Sequence, residues 1–180
     1  MGVVRAVVPE GDQVAARGHL DDNMLSATET SGIHLHPSAF VHITAKIGDG
    51  ACIWQNAHVR EGAIIGKFAN IGGNAEIGIE AVIGDRTRVG FGSFIPNRAF
   101  IGNDVFIGPN VTMCDDKYPE VNNTDYNAEP PVIEDGASIG AGVVLLPGVR
   151  IGKKALIGAG SVVTRDVETC AVVAGNPAQF

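Results

Sequence analysis

Apolar residues recur along this chain every six positions, a period that fits neither an amphipathic helix nor a single long strand. From Leu35 the step of six lands on Val41, Ile47, Ile53, Val59, Ile65, Ile71, Ile77, Ile83, Val89, Ile95, Ile101, Ile107 and Met113. A second run takes in Ile133, Ile139, Leu145, Ile151, Ile157 and Val163. Four residues after each of these anchors stands a small or β-branched residue, such as Ala51, Ala57, Ala63, Thr87, Ser93 or Val105, with Lys117 as the exception. Residues two apart in a strand share a face, so each anchor and the small residue two before it point inward together. Gly follows many anchors directly, as in Ile47-Gly48, Ile65-Gly66 and Ile157-Gly158. The pattern predicts short strands joined by turns, with Gly, Asn and Asp supplying permissive backbone. Burial of each Ile or Val contributes roughly 1.5–3 kcal/mol gross, enough to line a narrow prism.

The rhythm breaks in three places. Residues 1–32 carry no hexad and read as a cap over the first coil or a flexible tail, leaving 33–180 as the repeat domain. Between Met113 and Ile133 lie 20 steps, not a multiple of six, so residues 114–132 form a projecting loop that holds both tyrosines, Tyr118 and Tyr126. Long irregular loops are uncommon and often functional. The chain closes on Gly175-Asn176-Pro177-Ala178-Gln179-Phe180.

Composition narrows the function. With 24 glycines in 180 residues, 45% hydrophobic but only 6% aromatic side chains, the core is thin and built of branched and small residues. The formal net charge of −7 disfavours nucleic acid as a partner, because phosphate backbones need a basic footprint. No apolar run reaches the roughly 18 residues of a membrane span, and residues 1–30 lack a signal-peptide centre. Cys52, Cys114 and Cys170 form no CxxC pair, so a reducing, cytoplasmic setting is expected.

Chemistry is expected on the outer surface. His58 precedes the anchor Val59 and so points outward, and Glu76 stands one 18-residue coil later. Neighbouring coils lie about 4.8 Å apart, which allows Glu76 to hold one tautomer of His58 and raise its basicity. An exposed ion pair on a prism face is the other reading of that pair. His36 and His42 fall on different faces, and His42 and His58 sit roughly 8 Å apart by strand geometry, so no metal is expected. Asn56, Asn74 and Asn110 share one corner position and read first as turn residues tolerating left-handed backbone, Asn74 also as a substrate contact. Trp54 points outward where Gly is usual, as an inter-subunit contact or a ring beside substrate.

The hexads and the Gly-Asn-Pro-Ala turn together resemble the hexapeptide-repeat acyltransferases over about residues 33–178. That resemblance implies an all-β, left-handed parallel β-helix of six to seven 18-residue coils. It also implies a homotrimer with active sites in the clefts between prisms. Acetyl-CoA would serve as co-substrate, lying along the second run of hexads past Ala141 and Ala159 towards Gly175, Asn176 and Pro177, with Lys153, Lys154 and Arg165 as candidates for its 3′-phosphate. Ile53-Trp54, His58-Val59, Gly108-Pro109 and Asp115-Asp116-Lys117-Tyr118-Pro119 are most similar to the branch that acetylates amino groups of nucleotide-linked sugars. Gln55 and Gly73 depart from that branch's usual residues. The implied roles are His58 as base or amine-orienting group, Glu76 as its orienter, and Asn74, Asp115, Asp116, Lys117 and Tyr118 as substrate-binding residues. The loop 114–132 contains no His, which speaks against hydroxyl acetylation. O-acetylation of a sugar and a noncatalytic β-helix scaffold are the alternatives.

Overall fold

A computed structural model describes residues 32–124 and 126–179. The cap or tail expected at 1–32 lies outside the described residues except for Gly32. Within them the chain forms 21 strands of two residues each, arranged as three parallel sheets of eight, seven and six strands. We call these the first, second and third faces of a prism, in the order in which the chain visits them. Successive strands step from face to face, and strands pair with those one coil away: His34 with Cys52, His58 with Glu76, Lys46 with Ile64. This is the all-β parallel solenoid expected, with the architecture of the left-handed β-helix. Among the described residues no helix is long and apolar enough to cross a membrane.

The inside of the prism is the hexad lining. Ile53, Ile71, Ile77, Ile95, Ile101 and Ile107 are fully buried, with Ala51, Ala57, Ala75 and Ala81 beside them. Polar residues in the small-residue column are satisfied locally: Thr87 Oγ1 donates to the Gly102 carbonyl at 2.7 Å and accepts from the Val105 amide at 3.1 Å. Cores of this density tolerate neither cavities nor extra atoms cheaply.

The first face reaches eight strands because Val172–Val173 adds a rung beyond the last periodic anchor. That rung is invisible to a count of six, since Val163 to Val173 is two residues short of two hexads. The shortening shows where Val167 bridges Ile151 across 16 residues instead of 18.

Turn glycines divide into two kinds. The third residue after the anchor has positive φ at nearly every corner, and Asn56, Asn74 and Asn110 adopt it at 53°, 56° and 56° as expected. Phe68, Glu80, Arg86, Arg98, Asp104 and Lys154 adopt it as well. The glycines directly after the anchor are needed for a different reason from the expected one. They have no positive φ; a Cβ on Gly84 would stand 2.4 Å from the Gly102 carbonyl of the next coil, and one on Gly66 2.5 Å from Asp85 backbone. They are there because coils stack backbone on backbone.

The excursion at 114–132 is a pure insertion. Strands before and after it pair across 32 residues instead of 18, as in Ile101 with Ile133 and Ile107 with Ile139. Fourteen residues leave the prism between the second and third faces, and the order of faces continues unchanged.

Candidate functional site

The second face breaks the glycine rule. Its post-anchor positions hold His42, Arg60, Gly78, Pro96, Cys114, Leu146 and Thr164, whereas the first and third faces carry mostly glycine there. Side chains therefore stand clear of this face in two columns, one on each side of the anchor.

His58 and Glu76 meet on it. Being register partners on adjacent coils, they bring His58 Nδ1 to 3.3 Å from Glu76 Oε2, with the imidazole 51% exposed and the carboxylate 29%. The Phe40 ring, one coil the other way, lies tilted against the imidazole with centroids 5.7 Å apart. A partner missing from the sequence reading completes the group: Arg60 Nη1 donates to Glu76 Oε1 at 2.9 Å. Arg60 lies two residues after His58, so strand alternation already placed it on the same surface. The carboxylate is thus shared, one oxygen facing the imidazole and the other the guanidinium. With Nδ1 facing the Glu76 carboxylate, the arrangement is that of a general base or of a group that orients an incoming amine.

The loop residues lie at the edge between the second and third faces, further along the prism. Asp115 is turned to internal work: its carboxylate accepts the Tyr126 hydroxyl at 2.8 Å and its carbonyl accepts the Glu129 amide at 2.8 Å. Burial, and then the bond to Asp115, holds the Tyr126 phenol above its ordinary pKa. Burial likewise raises the Cys114 thiol, with Asp115 adding to it. Asp116, Lys117 and Tyr118 line a hollow of about 210 Å³ with Asn123, Asn127 and Glu129. Asn74 lies on the opposite edge, between the first and second faces.

The residues expected to hold acetyl-CoA do not gather within one chain. Ala141, Ala159 and the turn Gly175-Asn176-Pro177 follow one another along the edge between the first and second faces. Among the described residues the amides of Ala141 and Ala159 carry no hydrogen bond. A Cβ on Gly142 or Gly160 beside them would touch nothing. Lys153 and Lys154 stand on the edge between the third and first faces, and Arg165 on the edge between the second and third. Residues 12 apart in an 18-residue coil are two edges apart, which separates Lys153 from Arg165. Lys153 also faces Asp135 at 4.0 Å. These cations form no common patch on one prism. No group of three or more His, Cys, Asp or Glu among the described residues could hold a metal.

Two family models match the chain: the bacterial transferase hexapeptide (six repeats) over residues 44–78 and 130–165, and the hexapeptide repeat of succinyl-transferase over residues 62–96. With its coils and stacked anchors, the chain carries the hexapeptide repeat that these models describe. Over 53 residues, 29% of its length, it is 55% identical to 2,3,4,5-tetrahydropyridine-2,6-dicarboxylate N-acetyltransferase of Staphylococcus aureus (strain JH9). That match spans only 22% of the relative. Among solved structures, AntD, an N-acyltransferase from Bacillus cereus in complex with dTDP and 3-hydroxybutyryl-CoA, aligns with TM-score 0.59 at 16% identity, covering 79% of this chain and 78% of that one. The acetyltransferase domain of PglB from Neisseria gonorrhoeae FA1090 in complex with acetyl coenzyme A aligns with TM-score 0.54 at 20% identity, covering 79% and 57%. At such identities the likeness is one of fold.

Proposed function

We propose that this protein is an acetyltransferase that moves the acetyl group of acetyl-CoA to the amino group of a nucleotide-linked amino sugar, acting as a homotrimer in the cytoplasm. The single observation that carries the reading is the His58–Glu76 contact at 3.3 Å on the one face that abandons the post-anchor glycine. His58 Nε2 accepts the proton or aligns the lone pair of the acceptor amine. Glu76 fixes the imidazole through Nδ1, and Arg60 fixes Glu76. The thioester carbonyl is attacked by the amine, the tetrahedral oxyanion is met by edge amides, and coenzyme A leaves as the thiol.

Acetyl-CoA, bound by the PglB and AntD relatives as itself or as an acyl analogue, fits the free amides of Ala141 and Ala159 and the Gly175–Pro177 turn. Lys153, Lys154 and Arg165 lie on the two other edges, so they reach a donor in that groove only from a neighbouring prism. Asn74 and the hollow formed by Asp116, Lys117 and Tyr118 also lie on different edges, and a cleft between copies is where they meet. Asp115 serves that hollow by accepting the amide of Glu129, one of its lining residues.

The test is thiol release from acetyl-CoA against a panel of nucleotide-linked amino sugars, their hydroxyl counterparts, and the dicarboxylate named for the Staphylococcus aureus relative. Release with an amino sugar alone is the expected result. Release with the hydroxyl acceptors alone overturns N-transfer, and the dicarboxylate as sole acceptor overturns the sugar. Absence of acetyl-CoA binding by calorimetry leaves a scaffold.

A further inference from the structure

The first face holds a hollow of about 260 Å³ walled by Trp54 and Phe91, floored by Gly72 and Gly90, and bordered by Asn70 and Arg88. It shares no lining residue with the His58–Glu76 pair, the hollow of the loop or the Ala141–Ala159 groove. Its shape follows from the repeat. Trp54 occupies the post-anchor column that is glycine on the next rungs of this face, so its indole overhangs bare backbone. The ring is held from two sides: Nε1 donates to Asn70 Oδ1 at 3.0 Å, and the His34 ring lies 5.4 Å away. A clamped aromatic plane loses little side-chain freedom when a second ring stacks on it.

Arg88 is the register partner of Asn70 on the following coil and is exposed. Among the described residues its guanidinium makes no ion pair or hydrogen bond, whereas those of Arg60, Arg86 and Arg150 each face a carboxylate. An unpaired guanidinium in a chain of net charge −7 is a planar fork suited to two oxygens of a phosphate. Two coils, about 10 Å at 4.8 Å per coil, separate the rungs of Trp54 and Gly90. That distance is comparable to the reach from a stacked base to its 5′-phosphates.

We propose that this hollow is the nucleotide subsite of the acceptor, with the base against Trp54 and the diphosphate on Arg88 towards Phe91, assisted by the Asn70 amide. This inference rests on the nucleotide-linked acceptor proposed above. The hollow and the His58–Glu76 pair lie on either side of one edge within the same coils, with Asn74 on that edge. The sugar crosses that edge to reach His58. Coenzyme A also carries an adenosine with phosphates, so the shared chemistry is a nucleoside phosphate and the experiment must separate the two sources.

Trp54 is the chain's one tryptophan, and its emission reports the site without a label. The full chain is titrated with UDP, dTDP, the free nucleosides, inorganic pyrophosphate and coenzyme A. Saturable quenching by a nucleoside diphosphate, tighter than by its nucleoside or by pyrophosphate, is the expected result. Arg88→Ala weakens it about 10- to 100-fold, the loss of a hydrogen bond to a charged group, with the unliganded spectrum unchanged. Trp54→Phe keeps calorimetric binding and Trp54→Ala loses it. Absence of quenching, equal affinity in Arg88→Ala, or quenching by coenzyme A in preference to every nucleoside diphosphate overturns the subsite. Turnover of a nucleotide-linked amino sugar at unchanged KM in Arg88→Ala removes the subsite but leaves the acceptor reading. Nucleoside diphosphate binding without turnover of any such sugar does the reverse.

Discussion

On the third face the residue after the anchor is glycine at Gly48, Gly66, Gly84, Gly102 and Gly152, and its edge towards the first face is sewn together by side chains. Asp85 accepts the Lys67 amide, Asn103 the Asp85 amide and Asp135 the Asn103 amide, each at 2.8 Å. The second face, built on the same hexad, carries His42, Arg60, Pro96 and Cys114 in that column. Its edge towards the first face leaves the Ala141 and Ala159 amides free among the described residues. One side of the prism spends its polar groups on joining coils, while the other holds them out to solvent. Unspent donors and standing side chains are what a substrate can engage, which is why the proposed chemistry falls where the face departs from the repeat.

Substitutions on the two sides should therefore fail differently. The largest effect expected is that of His58→Ala, a fall of about 10²- to 10⁴-fold in thiol-release rate with the melting temperature unchanged. A variant within twofold of the parent rate removes His58 from the mechanism. Gly84→Ala is the mirror case on the third face. Its Cβ meets the Gly102 carbonyl carbon at 2.4 Å, and a cost of about 1–3 kcal/mol should appear as a lower midpoint in urea unfolding, with the kcat of the folded fraction retained.

Smaller effects sharpen the contrast. Glu76→Gln keeps the shape but gives up the charge that faces both His58 and Arg60, and should lower turnover about tenfold without moving the unfolding midpoint. Asp104→Asn should do the converse in a pH-dependent way. The hydrogen bond from Arg86 holds the Asp104 carboxyl below its ordinary value, against desolvation, with the Arg86 charge adding to it. A carboxyl depressed in the folded state contributes stability above its unfolded value, and that contribution is lost as pH falls through the folded one. The variant should melt slightly lower than the parent near neutrality, and the two curves should converge in acid. Curves that stay apart there assign the difference to packing.

Much of this was legible beforehand because a six-residue step fixes face and direction together. The same counting that stacked Ile53 on Ile71 placed Glu76 beside His58. It did not find Arg60, which needed the second outward column to be read as well as the first. Lys153, Lys154 and Arg165 are near in sequence, yet position within an 18-residue coil sends them to two different edges. Propensity alone explains Gly84 and its equivalents as turn residues, whereas their cause is a neighbouring coil that no single hexad contains. The rung at Val172–Val173 escaped because the last stretch runs two residues short.

The insertion between Met113 and Ile133 bears on how such a protein can change. Strands on either side of it find the partners they would have had without it, so the 14 added residues are mechanically out of series with the column that stacks the core. Altering their length or sequence changes what the prism can grip while the frame is inherited whole. On the acceptor role proposed for Asp116, Lys117 and Tyr118, acceptor choice can drift by exchanging one cartridge, and the risk to folding stays small.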